Sequence, residues 1–214
     1  MPNVLLSAFT GEGDTDRRFL GPLIRRTLEE LLWESPQQID VYEPEWLGVA
    51  KSTEIVAASR RAAAHGHRLL VVHADADSNN LQLAHQQRIQ PALDKLVSLG
   101  IAAPIVVPLI PVHEVEAWML ADVDILITEL ATRLTAQKLG LHGDPERYAD
   151  PKAKLAEAVR LANVGRGAHL HSTVGDLYAP LGEAVALPTL VNTCPSYGVF
   201  SDALRTALGE IGFL

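Results

Sequence analysis

Three short apolar runs in this chain each end in a knot of acids, and few folds accommodate that pattern. "NVLLSAF" (3–9) leads into "GEGDTD" (11–16), "LLVVH" (69–73) into "ADAD" (74–77), and "PIVVPLIPV" (104–112) into "HEVE" (113–116). The runs are too short for helices and are bounded by turn residues, as buried strands are. The segments between them have helical periodicity. Residues 15–33 repeat apolar side chains every three to four positions, with Asp14 or Thr15 as N-cap and a kink expected at Gly21-Pro22. A second helix is expected over 53–65, closing near Gly66, and a third over 81–99, interrupted at Pro91 and stopped at Gly100. "IDVYEPEWL" (39–47) reads as a further strand ended by Pro44, and the prolines around 104–112 place that run at a sheet edge or strand end.

Strands alternating with helices over roughly the first 120 residues predict an α/β fold with a mostly parallel sheet. After Ala121 the pattern becomes helical, in "ADVDILITELATRLTAQKLGL" and "DPKAKLAEAVRLA". The expected division is an α/β domain over 1–122 and a helical C-terminal subdomain over 123–214 packed on it.

Composition narrows the function. Apolar residues make up 48% of the 214, enough for a sizeable core. No stretch reaches the roughly eighteen uninterrupted apolar residues of a membrane span, and "MPNVLLSAFT" lacks the basic start of a signal peptide. With Cys194 as the single cysteine, no internal disulfide is possible, and a cytoplasmic location is expected. Cys194 itself reads as a buried structural thiol. A formal net charge of −8 argues against holding nucleic acid by bulk electrostatics alone. It leaves room for an enzyme whose acids gather a metal that in turn neutralises a phosphate.

In an open parallel sheet, ligands bind beyond the carboxyl ends of the strands. Glu12 and Asp16 follow the first strand, Asp75 and Asp77 the third, Glu114 and Glu116 the fourth. Crowded like charges repel unless a cation compensates them, and hard oxygen donors suit Mg2+ or Mn2+. Gly11 and Gly13 permit a tight turn that aims Glu12 inward. Asp75 and Asp77, two apart, face one side if the strand runs through them. One of Glu114 and Glu116 is expected to ligate metal while the other supports it from behind.

A strand ending in E-G followed by a later strand ending in D-x-D resembles the Toprim fold of topoisomerases, primases and related nucleases. The segment "IPVHEVEAWMLAD" (110–122) is further similar to an H-E-x-E-A signature in bacterial Toprim-like proteins. These are related to the overcoming-lysogenization-defect nucleases, which are often encoded beside ABC-type ATPases and associated with phage defence. "DPKAKL" (150–155) and "CPSYGVF" (194–200) resemble later landmarks of that group. The resemblance implies a Toprim-like sheet and metal-dependent phosphodiester hydrolysis of nucleic acid, DNA rather than RNA, with an ABC-type ATPase partner and scope for self-association. Glu12, Asp16 and Asp75 would hold one metal, and Asp77 with Glu114 or Glu116 would contribute to a second. Lys152 or Lys154 would stabilise phosphate charge. Asp16 stands where relatives often have glutamate, and Tyr197 where phenylalanine is usual.

Other readings use the same residues less completely. A dehalogenase-type phosphatase needs its D-x-D on the first strand, and a nucleotide-sugar transferase would leave Glu12 unused. A non-catalytic regulatory subunit would be expected to lack part of the acid set. His142, His169 and His171 lack regular zinc spacing, and His73 and His113 sit beside the acids as supporting partners or proton donors. Of the basic pairs, Arg17-Arg18 lies next to the proposed site.

Overall fold

A computed structural model describes residues 3–101 and 103–214. The first strand is split into β1 (Asn3–Leu5) and β2 (Ser7–Gly11), followed by helix α1 (Arg17–Leu32). The expected second strand is split too, into β3 (Ile39–Val41) and β4 (Glu45–Val49), with Pro44 between them. Then come α2 (Ile55–Ala64), β5 (Leu69–His73), α3 (Leu81–Ala84), a π-helical turn (His85–Ile89), α4 (Gln90–Ser98) and β6 (Ile105–Leu109). The remainder is helical: α5 (Glu116–Met119), α6 (Val123–Glu129), α7 (Pro151–Ala162), α8 (Val174–Ala184), α9 (Leu187–Thr193) and α10 (Pro195–Ile211).

The main sheet has the order β4-β2-β5-β6, and each of its pairings is parallel. β1 and β3 pair in parallel as a separate small sheet. The central strands are buried on both faces, so they read as unbroken apolar runs. Alternate side chains serve two cores. Leu70 and Val72 join Ile55, Ala58, Ile89 and Ala92 on the face covered by α2 and α4. Leu69 and Val71 join α1 and the C-terminal helices on the other face. β6 is an edge strand, as its prolines require: Pro108 opposes Val72 without disturbing any strand beyond it.

α1 is one continuous helix with Pro22 inside it, not two short helices. Pro22 forfeits one backbone bond. Leu20, Leu23 and Ile24 around it are fully buried, and that packing overrides the local preference. The N-cap position is Asp16 rather than Asp14 or Thr15.

The C-terminal helices share the α1-side core. Trp118 packs edge-on against Tyr197, with centroids 5.4 Å apart, and stacks on Phe200. Its indole N–H donates to Ser196 Oγ at 2.8 Å, and Ser196 in turn donates to Glu146. The segment "CPSYGVF" is therefore a packing element. Cys194 is fully buried, and burial pushes its thiol pKa up, as an inert structural residue requires. Among the described residues, no helix is long and apolar enough to cross a membrane.

α1 crosses α8 at Gly182, where an added Cβ would lie 2.5 Å from the Phe19 carbonyl oxygen. Arg26 bridges the same contact by donating to the carbonyls of Gly182 and Val185. Gly182→Ala is expected to destabilise the fold by about 1–3 kcal/mol through overpacking, measured by urea denaturation, whereas the open position Gly198→Ala is expected to be tolerated.

Candidate functional site

Because β2, β5 and β6 are parallel neighbours, the segments leaving their carboxyl ends converge on one edge of the sheet. There Glu12, Asp16, Asp75, Glu114, Glu116 and Lys152 line one cavity of about 420 Å3, together with Tyr178 from α8. Six of the eight residues proposed from the sequence thus meet in one place.

The loop after β2 is shaped by two close approaches. A Cβ on Gly11 would lie 2.9 Å from His73 Nδ1, and one on Gly13 would lie 2.8 Å from Asp16 Oδ2. A side chain at Gly11 would press on the buried imidazole, and one at Gly13 would make the flexible Asp16 carboxylate shift. The Asp16 side chain caps no backbone group. Its carboxylate turns into the cavity instead.

His73 is the last residue of β5 and is fully buried. Its Nε2 is 3.1 Å from Asp75 Oδ1, while Nδ1 lies 3.7 Å from Asp16 Oδ2 and makes no hydrogen bond among the described residues. Burial alone would lower the His73 pKa, but the bond to Asp75 and the charges of Asp75, Asp16 and Glu12 outweigh it and hold the value above 6.5. The buried ring thus lies between the carboxylates of Asp75 and Asp16 and bonds the first of them.

Asp77 departs from expectation. The strand stops at His73, and Asp77 takes a left-handed backbone (φ 51°) that turns its side chain out of the cavity. It instead shares Arg88 with Glu12: one guanidinium nitrogen lies 2.6 Å from Glu12 Oε1 and the other contacts Asp77. Arg88 sits in the π-helical turn immediately before α4, where Pro91 lacks the N–H that a regular helix would use.

The last two acids are held by the C-terminal helices. Asp150 caps α7 by accepting from the Ala153 N–H, and Pro151 occupies the first turn, where its missing N–H costs nothing. The next N–H, of Lys152, donates to Glu114 Oε1 at 2.9 Å. Glu116 is buried and accepts from the Tyr178 hydroxyl, with Lys152 Nζ 3.2 Å away. Both glutamates thus face the cavity despite their two-residue spacing. Lys154 is not part of the site: its ammonium pairs with Glu157 and lies over the Tyr148 ring.

The electrostatics are unbalanced. Burial raises the Asp16 pKa, with His73 opposing and Asp75 and Glu116 adding to the rise. Burial likewise raises Glu114, against the Lys152 N–H. Burial tends to lower Lys152, but Glu116, Glu114 and Asp16 outweigh it and raise it. Burial and the bond to Glu116 push the Tyr178 hydroxyl up, so it remains a donor.

Two contributors were invisible to motif reading: Arg88 and Tyr178 are brought in by tertiary packing. His73, expected as a supporting partner or proton donor, bonds Asp75. The three loop histidines form no cluster: His171 Nε2 meets the Arg166 carbonyl, and the His142 backbone bonds the Tyr148 hydroxyl.

Residues 11–205 match the family described as "Domain of unknown function (DUF4276)". The chain belongs to this family. The DUF4276 match begins at Gly11 and includes every residue lining the acidic cavity. No curated protein and no solved structure matches the chain.

Since the folded Asp16 pKa lies above its ordinary 3.8, the stability this group contributes is complete below that value. It is lost as pH rises through the folded pKa, which leaves a penalty at neutral pH. Asp16→Asn is expected to raise the melting temperature at pH 7 by about 2–4 °C, with the gain vanishing below pH 4. A melt series over pH 3.5–8 checks it.

Proposed function

We propose that this DUF4276 protein is a metal-dependent phosphodiesterase acting on nucleic acid, with Mg2+ or Mn2+ as its cofactor. The observation that carries this reading is the convergence of five carboxylates from three strand ends on a cavity whose lining supplies one lysine. The donors are all oxygen, the type a hard divalent cation takes; among the described residues no three of them stand at ligand spacing, so an ion would draw them closer. Glu12, Asp16 and Asp75 would hold one ion, and Glu114 and Glu116 a second. When bound, such ions activate water and neutralise charge on the scissile phosphate.

The chain's own groups have separable tasks. His73 fixes the positions of Asp75 and Asp16 from behind, and Tyr178 and Lys152 fix Glu116. Lys152, with its side chain largely open to solvent, is also placed to meet a phosphate oxygen at the cavity rim. An acidic chain grips nucleic acid weakly by itself, which favours loading by a partner. The Toprim-like resemblance suggests an ABC-type ATPase, a phage-defence setting and a cytoplasmic location.

A second reading has its own support. Arg88 already neutralises Glu12 and Asp77, as would suit a regulatory subunit that binds without cutting.

The deciding assay incubates supercoiled plasmid, single-stranded DNA and RNA with the chain and Mg2+ or Mn2+, beside Glu12→Gln and Asp75→Asn. Hydrolysis predicts metal-dependent cutting that each substitution reduces at least about 100-fold. Cutting only after the ATPase is added identifies a gated effector. Failure in both settings, with Mg2+ binding retained, overturns the nuclease reading in favour of the regulatory one.

A further inference from the structure

A second set of metal-type donors stands at the opposite edge of the sheet. Glu45 is the first residue of β4, and His65 and His67 flank Gly66 in the turn between α2 and β5. One ligand atom from each of the three lies within 4.8 Å of the others. β4 pairs with β2 so that Glu45 opposes Ala8. Glu12 is four residues further on, placing the cluster about 13 Å from the acidic cavity along the strand direction.

The turn that presents the histidines is fixed by its own backbone. Gly66 is left-handed (φ 79°), its N–H donates to the Ala63 carbonyl at 3.0 Å, and the His67 N–H donates to Ala62 at 2.9 Å. These paired bonds are the Schellman closure of a helix. They hold one imidazole on each side of the glycine, and both rings reach the same carboxylate. His65 Nδ1 is 3.0 Å from each Glu45 oxygen, and His67 Nε2 is 2.5 Å from Oε2. The His67 side chain is only 8% exposed, and its buried Nδ1 has no hydrogen-bond partner among the described residues. Its Nε2 bonds the Glu45 carboxylate, so an ion bound there would take the place of the proton shared between them.

Two imidazoles and a carboxylate are a borderline nitrogen–oxygen donor set, which selects ions of the Zn2+ class over Mg2+ or Ca2+. The C-terminus of the ten-residue α2 adds the negative end of its dipole. We propose that Glu45, His65 and His67 form a site for one Zn2+-class divalent ion, with a coordination position open to solvent. Bound there, the ion ties the α2–β5 turn to the start of β4.

The test uses Co2+ as a spectroscopic probe on the full chain, in excess Mg2+ so that the acidic cavity does not compete. The site predicts one equivalent of Co2+ with visible d–d absorption, displaced by Zn2+ and weakened about tenfold or more in His65→Ala and in Glu45→Gln. Glu12→Gln is expected to bind Co2+ as the wild type does. His65 is half exposed, so its variant should fold, and melting in chelator verifies this for each protein. Three results would overturn the proposal: no Co2+ uptake by the wild type, uptake unchanged in both cluster variants, or uptake lost in Glu12→Gln instead. Failure of the nuclease assay bears on none of these outcomes.

Discussion

Parallel pairing of β2, β5 and β6 is the constraint on which the candidate site depends. It sends three loops off the same edge of one sheet, so any acids at the strand ends must share a small volume. That crowding is unfavourable by itself, and the fold answers it with basic side chains set among the acids. The buried His73 stands between Asp75 and Asp16, Lys152 lies against Glu116, and Arg88 spans Glu12 and Asp77. Each basic group comes from a different element, so the pattern is a product of the whole sheet edge rather than of any one loop.

Both parts of the chain build the cavity. The sheet contributes Glu12, Asp16, Asp75 and Glu114, while α7 brings Lys152 and α8 brings Tyr178. Their placement is secured by the aromatic group around Trp118, two residues after Glu116. Fixing that indole between Tyr197, Phe200 and Ser196 fixes the short helix α5 and, with it, the buried glutamate. The later sequence landmarks thus matter for packing, and they act on the site at one remove.

What the sequence disclosed depended on how local its cause was. Apolar runs ending in acids and glycines gave the strand ends, and parallel topology followed from their alternation with helices. Hence Glu12, Asp16, Asp75, Glu114, Glu116 and Lys152 were legible. Asp77 was misplaced because its left-handed turn is set by the pairing of its N–H with the His113 carbonyl across two loops. Lys154 was misplaced because helix phase sends it towards Tyr148 and Glu157. Arg88 and Tyr178 reach the site through tertiary packing, for which no short motif exists. The breaks at Leu6 and Tyr42–Pro44, which split two expected strands, lie where the small β1–β3 sheet separates from the main one.

The crossing of α1 with α8 also bears on how the chain reaches this state. Thr27 bonds the Tyr197 hydroxyl at 2.9 Å, and Phe19, Leu23 and Leu28 share their core with Leu181, Phe200 and Leu204. During synthesis, the apolar stripe of the first helix emerges long before the helices that cover it. It must wait, exposed to its neighbours or sheltered by a chaperone, until some 170 further residues have been made. Late closure of so long a loop favours slow, cooperative folding of the whole chain over stepwise maturation of its halves.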